Sequence, residues 1–259
     1  MLNIESFKSL MCFDSSHSGF IGCEREFFLA TQEDVIVPAA HQVLALLNNT
    51  KEFSYELSAC QIEYKTSPCS NLFELEKSII NLEKQCISFE KGLGLKRLLL
   101  EVAPDSMPRD IFPDQRYERF EQKKNDDQIL AMLQILACHF HVGMPDYETA
   151  REVYNSLIPK IEELVTLCDH SNGKRMELYK RVTSPHHIPV PFRNIEEHYE
   201  HAVANGYDKD LKNCHSLIRI TRYGTIEFRM FGAAQSLQEI VQLGQHVLQC
   251  CNVSIPSNI

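Results

Sequence analysis

Three segments of this sequence carry polar side chains two residues apart, each with a phenylalanine beside the pair. The pairs are Glu24 and Glu26, His139 and His141, and Glu227 and Arg229. Side chains two apart on a strand point to the same face of a sheet. The spacing therefore predicts strands of one sheet with an apolar face and a face lined by carboxylate, imidazole and guanidinium groups. Glu56 and Glu63 in a neighbouring strand region could join that polar face.

Any one of these pairs has simpler readings. An alternating strand often exposes one face to water, and His139 and His141 could be core histidines or two ligands of a zinc site. Zinc usually takes three or four nitrogen and sulfur ligands, and no cysteine has a spacing that would complete such a set. The excess of carboxylates over imidazoles favours Mg²⁺ or Mn²⁺.

Clustered carboxylates repel one another unless cations lie between them. Divalent metals that bridge to phosphates remove that repulsion, as in nucleotide-dependent phosphoryl transfer. The sequence has neither the G-x-x-x-x-G-K-[ST] nor the G-x-G-x-x-G loop. If ATP binds, metal and arginine would hold it, and the candidates are Arg219, Arg222 and Arg229.

Composition excludes several classes of protein. The net charge of −9 argues against a nucleic-acid backbone as partner. No apolar run reaches the length of a membrane span, and the first residues lack a signal-peptide pattern. The ten cysteines, none in a C-x-x-C pair, are expected to be free thiols in a reducing cytoplasm.

The order of elements predicts an α+β fold of one domain over residues 1–259, with a sheet covered on one face by helices. Helices are predicted over residues 31–49, 72–91, 127–137, 147–168, 195–205 and from 237 onward. The predicted N-cap residues of three of them are Asn71, Asn194 and Ser236, each with a glutamate three residues later. Strands are predicted over residues 20–30, 53–65 (one strand or two), 95–102, 138–143, 215–220 and 225–231. Residues 103–114 and 169–193 are predicted loops.

Four segments, in order, resemble signature motifs of the glutamate–cysteine ligase family 2. GCEREFF at residues 22–28 resembles its G-x-E-x-E-F, and QIEYKTSPC at 61–69 resembles its Q-x-E-x-x-T-P-x-C. HFHVGMPD at 139–146 resembles its H-x-H-V-G-x-P-D, and RYGTIEFR at 222–229 resembles its R-x-G-T-x-E-x-R. Each motif is weak alone, but four in the family's order are a specific resemblance.

The resemblance implies a fold like the catalytic domain of glutamine synthetase, with a curved, largely antiparallel sheet. It implies ATP and Mg²⁺ (or Mn²⁺) as cofactors, with Glu227 and Arg229 catalytic and Arg229 touching phosphate. The implied metal ligands are Glu24, Glu26, Glu56, Glu63, His141 and Glu227. The implied reaction joins glutamate, or another amino acid, to an amine such as cysteine: ATP phosphorylates the carboxylate, and the amine displaces phosphate.

The sequence also departs from the family. It is shorter than typical members, it has no tryptophan, and only Arg175, Lys180 or Arg181 could replace an arginine that relatives carry after Cys168. There are two competing hypotheses. One is a kinase that stops at phosphorylation, and the other is a catalytically silent relative that binds nucleotide or a partner. Small-molecule substrates, an amino acid and an amine, are the expected partners, with no nucleic acid or membrane. A homodimer is compatible with the tendency of family members to associate.

Overall fold

A seven-stranded sheet forms the centre of the structure, a computed structural model that describes residues 3–252. The strands are β1 (Ile21–Ala30), β2 (Phe53–Tyr55), β3 (Gln61–Lys65), β4 (Lys96–Leu98), β5 (Cys138–Gly143), β6 (Ile218–Ile220) and β7 (Thr225–Phe228). The helices are α1 (Ile4–Lys8), α2 (Ala40–Leu47), α3 (Leu72–Leu93), α4 (Gln115–Glu121), α5 (Asp126–Leu133), α6 (Tyr147–Leu157), α7 (Ile161–Thr166), α8 (Lys174–Thr183), α9 (Ile195–Asn205) and α10 (Leu237–Cys251).

The strands that carry the polar pairs are neighbours at the middle of this sheet. The order is β2-β3-β1-β5-β7-β6, and β4 pairs with the last residues of β1. Every pairing between these strands is antiparallel. The prediction of a mixed fold with an antiparallel sheet is confirmed, and the sheet is open, with β2 and β6 at its ends.

Helices α3, α6 and α10 pack on the apolar face of the sheet. Asn71 accepts a hydrogen bond from the Glu74 amide at the start of α3, and Gly94 ends the helix in the left-handed region. Arg25, which lies between the two glutamates of β1, points to this helical side and pairs with Glu83 at 2.9 Å. The alternation of β1 thus separates a structural arginine from the carboxylates of the opposite face.

The prediction of a helix over residues 31–49 was wrong in its first half. Only Ala40–Leu47 is helical, because Val37 precedes Pro38, which disfavours the helical conformation, and Ile36 forms a bridge with Ala30. The predicted strand over residues 53–65 is two strands, β2 and β3. The predicted helix over residues 147–168 is divided into α6 and α7 by a 3₁₀ turn around Pro159.

The predicted loop over residues 169–193 was also wrong, since it contains α8. This helix begins after Gly173 with no side-chain cap, so the usual start signal is absent. Its buried residues, among them Arg175 and Tyr179, contact the polar side of the sheet. The prediction of helices on one face is therefore confirmed only in part.

Within residues 3–252 the buried apolar side chains form one connected cluster. The division into domains stays a prediction, and it extends over the termini outside the described residues. None of the helices in this range combines the length and the apolar character that crossing a lipid bilayer requires. All ten cysteines lie in this range and are free thiols, as predicted.

Candidate active site

The polar side chains of the central strands meet on the face opposite α3 and α10. We define the acid face by its seven ionisable side chains: Glu24, Glu26, Glu56, Glu63, His139, His141 and Glu227. In the antiparallel register Glu24 is opposite His139, Glu26 is opposite Glu63, and His141 is opposite Glu227. Glu56 reaches the same face from the turn after β2. The prediction that these distant segments converge is confirmed by this geometry.

Three overlapping groups on the acid face have ligand atoms within 4.8 Å of one another. These groups are Glu24, His141 and Glu227; Glu24, Glu63 and His139; and Glu26, Glu56 and Glu63. Glu24 is common to the first two groups, and Glu63 is common to the last two. All six residues that were predicted as metal ligands are included, and His139 joins them.

The carboxylates at the β3 end of the acid face favour their protonated forms. Burial, with the charge of Glu56, raises the pKa of Glu26 to about 8. Burial is also the main cause that raises the pKa of Glu56 to about 7. Burial and the charges of Glu24 and Glu56 raise the pKa of Glu63 well above its ordinary value. A nearby cation would reverse this preference, because it favours the charged form of each group.

The carboxylates at the β7 end are held in the charged form. Burial alone would raise the pKa of Glu24, but His141 and His139 outweigh it and hold the pKa well below its ordinary value. Burial is likewise outweighed at Glu227, whose pKa is held low by the guanidinium groups of Arg219 and Arg229. The acid face therefore has an anionic end beside arginine and an end that carries protons in the absence of a cation.

The two histidines of this face have pKa values shifted in opposite directions. Burial and the charge of Arg229 lower the pKa of His139 to about 4, so its ring is neutral at physiological pH. Burial opposes charging at His141 as well, but Glu24 and Glu227 outweigh it and raise the pKa of that ring. A neutral imidazole is the form that ligates metal.

Two of the three arginines that were predicted to bind nucleotide lie at the β7 end. Arg219 Nε donates to Glu227 Oε2 at 2.5 Å, and Arg229 Nη1 donates to Glu227 Oε1. Arg222 lies instead in the exposed turn between β6 and β7, where its guanidinium stacks 5.0 Å from the centre of the Tyr223 ring. Arg222 is not among the described residues that contact the acid face.

Arg175 is the member of its segment that reaches the site, whereas Lys180 and Arg181 are exposed. Arg175 is 3% exposed and donates to the carbonyl oxygens of Leu136, Met230 and Arg229. Its charge lies close to Glu26. Sequence reasoning named Arg175 as a candidate but could not select it, because the helix that buries it was missed. The two-residue spacing between His139 and His141 was the sequence signal that His139 lies on the acid face.

The acid face fits hard divalent cations. Carboxylate oxygens are the ligands that Mg²⁺ and Mn²⁺ prefer, and the face has five carboxylates beside two imidazoles. His141 Nε2 is buried and has no hydrogen-bond partner among the described residues, with Glu24 Oε1 at 3.5 Å. A buried ring nitrogen without a partner is costly, and a cation between it and Glu24 would satisfy it.

A similar fold occurs in a protein of known structure. A bifunctional glutathione synthetase from Pasteurella multocida superimposes with a TM-score of 0.66 at 14% identity, covering 96% of this chain and 39% of that one. At this identity the likeness shows the fold alone, an open antiparallel sheet with helices. The family model of glutamate–cysteine ligase family 2 matches residues 20–161, more than half of the sequence, and the chain therefore belongs to that family.

Curated relatives agree with this assignment. A protein of Rhodococcus jostii, provisionally named glutamate–cysteine ligase 2-1, is 28% identical over 163 residues, covering 58% of this chain and 41% of its own length. A protein of a Roseiflexus species, provisionally named glutamate–cysteine ligase 2, is 27% identical over 203 residues, covering 73% of this chain and 53% of its own length. The chain thus spans about half the length of these relatives.

Proposed function

We propose that this protein is an ATP-dependent carboxylate–amine ligase. The observation that carries the proposal is the acid face, where three ligand groups from distant parts of the chain overlap through Glu24 and Glu63. Membership of the glutamate–cysteine ligase family supports the reaction class. The open antiparallel sheet, polar on one side, is compatible with the glutamine-synthetase-like architecture that the motifs imply.

Each part of the acid face has a role in this proposal. Mg²⁺ or Mn²⁺ would be held by the three carboxylate-rich groups, where it would neutralise charge on a transferring phosphoryl group. Arg229 is the proposed phosphate contact, because its Nε is buried without a hydrogen-bond partner in the described residues. Arg219 keeps Glu227 anionic and in place through two hydrogen bonds. The protein contributes positioning and electrostatics.

The proposed donor is the γ-carboxylate of glutamate, and the proposed acceptor is an amine such as cysteine. A carboxylate oxygen attacks the γ-phosphorus of ATP, which forms an acyl phosphate and releases ADP. The amine nitrogen then attacks the acyl carbon, an amide bond forms, and phosphate and a proton leave. The names of the relatives support glutamate and cysteine as the first substrates to test.

ADP release in the presence of Mg²⁺ tests this proposal, with glutamate and a panel of amino acids and amines added singly and in pairs. We expect ADP release that requires both a carboxylate donor and an amine, with an amide product detected by mass spectrometry. Turnover that needs no amine would identify a kinase instead. Absence of turnover with every pair, together with absence of nucleotide binding, would support a silent relative and overturn the ligase.

Glu227→Gln is the matched negative variant, since it removes one anionic oxygen from the site. Glu152→Gln on α6 is the control, because that side chain is 73% exposed and lies outside the acid face. A ligase activity that survives Glu227→Gln unchanged would locate the chemistry elsewhere.

A further inference from the structure

A second group of ligand atoms lies outside the acid face and has a different chemical character. Glu101 follows β4, while Cys168 and His170 follow α7. Ligand atoms of these three residues lie within 4.8 Å of one another. This group contains a thiol and an imidazole, whereas the acid face contains five carboxylates and no thiol. We call the three residues the thiol cluster.

Glu101 has an unsatisfied oxygen at this position. The residue is 4% exposed, its Oε1 accepts a hydrogen bond from the His170 amide at 2.9 Å, and no N–H or hydroxyl group of the described residues donates to its Oε2. A buried carboxylate oxygen without a partner is costly. The Asp169 side chain also lies within hydrogen-bonding reach of Glu101, so two carboxyl groups meet here and need either a shared proton or a cation between them. Both observations favour a cation at this point.

The backbone around the thiol cluster is shaped to bring these groups together. A Cβ atom on Gly232 would lie 1.8 Å from Glu101 Oε1, so only glycine allows the carboxylate this close. The Gly232 amide donates to the Cys168 carbonyl at 2.9 Å, which fixes the chain that carries the thiol. His170 Nε2 lies 2.6 Å from Glu239 Oε1. A carboxylate commonly orients a metal-ligating imidazole in this way.

We propose that Glu101, Cys168 and His170 bind a Zn²⁺ ion, with water in the fourth position and Glu239 orienting the His170 ring. Thiolate and imidazole select zinc over the hard cations that suit the acid face. Cys168 is 2% exposed, but the His170 side chain is 41% exposed, so a metal has a path of entry from solvent. The ion joins the β4 loop, the segment after α7 and, through Glu239, the start of α10. This site is independent of the ligase proposed above.

Cobalt substitution of the full chain tests the site with a signal that the acid face cannot give. The purified protein is stripped with a chelator, saturated with Mg²⁺ to fill the acid face, and titrated with Co²⁺. We expect the near-ultraviolet absorption of a cobalt–thiolate bond in the wild type, and zinc that displaces the cobalt. Absence of this absorption in the wild type would overturn the proposal.

Variants then assign the thiolate. The absorption should disappear in Cys168→Ser and persist in Cys12→Ser, a control at an exposed cysteine. An equal absorption in Cys168→Ser would overturn the proposal. His170→Ala, at a largely exposed side chain, should lower the Co²⁺ affinity by about tenfold or more. If Cys168→Ser does not fold, an unchanged Co²⁺ affinity in His170→Ala would overturn the site by itself.

Discussion

Glu26 lies directly opposite Glu63 in the register between β1 and β3, so two buried carboxylates meet at one point of the sheet. Glu26 Oε2 accepts a hydrogen bond from the Ala137 amide at 2.7 Å, and Glu63 Oε1 accepts one from the Ser54 hydroxyl at 2.9 Å. These single hydrogen bonds do not offset burial, because the pKa of both groups is raised. The two carboxyl groups are stable side by side only when they hold protons or a cation.

Glu26→Gln should stabilise the metal-free protein increasingly as the pH rises. The pKa of Glu26 is about 8 when folded and near 4.5 when unfolded, so the folded state binds more protons between these values. The wild type therefore loses stability from about pH 5 to about pH 8, whereas glutamine does not titrate. Urea unfolding of both proteins in EDTA measures the difference between their free energies of unfolding. The titration of the buried histidines is common to both proteins and cancels in this difference. A constant difference across this range would contradict the shift.

Glu63→Gln should weaken divalent metal binding more than the same replacement of any exposed glutamate does. Glu63 contributes to two of the three ligand groups, so its loss removes an anionic oxygen from both. We expect the Mn²⁺ affinity to fall by at least about tenfold, on the scale of losing a supporting group at a metal site. Calorimetric titration measures the affinity, and Glu152→Gln is the control. Equal Mn²⁺ affinities in the two variants would show that the acid face is not the metal site.

Glu227→Gln should abolish turnover and also lower stability. Its carboxylate is 1% exposed and satisfies Arg219 and Arg229, so glutamine leaves buried positive charge without its partner. We expect turnover to fall by at least about a hundredfold and the free energy of unfolding to fall by about 1–3 kcal/mol. Steady-state assays and urea unfolding give the two values. Full turnover in a destabilised variant would show that the carboxylate is structural only.

Gly224→Ala should be more costly than Gly94→Ala, although both glycines have a positive φ. The φ angles are +68° at Gly224 and +65° at Gly94, so the conformational strain of about 1–2 kcal/mol is shared. Only at Gly224 would a Cβ meet backbone, 2.5 Å from the Cys12 carbonyl oxygen. We expect an additional loss of about 1–3 kcal/mol, measured by urea unfolding. Equal losses would show that the Cys12 segment moves away freely.

Arg175→Lys should be strongly destabilising, and Arg181→Lys should not. Arg175 uses three nitrogens to donate to carbonyl oxygens of residues beside β5 and β7, which one ammonium group cannot reproduce. We expect a loss of about 2–4 kcal/mol. Arg181 is exposed and pairs with the exposed Glu177, so its replacement should cost little. Thermal unfolding compares the variants, and similar melting temperatures would contradict the bridging role.

The shared face of the central strands was predictable because side-chain alternation is a local property. Once residues 22–28 and 138–143 are strands, the positions of Glu24, Glu26, His139 and His141 follow. Capping residues served in the same way, since Asn71, Asn194 and Ser236 each accept the predicted hydrogen bond from the third residue of their helix.

The partners across the face were not predictable, because they depend on register between segments far apart in sequence. The pairing of Arg219 with Glu227 requires the β6–β7 register, and the choice of Arg175 requires a helix without a capping signal. The six proposed ligands were found together by resemblance to a family, while their division into three groups came only from the structure. The roles of these residues stay predictions until the variants are measured.

Glu24 and Glu63 are each common to two of the three ligand groups, so ions could not enter the acid face independently. An ion held by His141 and Glu24 fixes an oxygen that its neighbour also requires, and a second ion beside it would feel its charge. Occupancy is therefore interdependent along the row, and a metal titration should depart from the curve of separate equivalent sites. The order in which the ions bind would then determine when a phosphate group can bind.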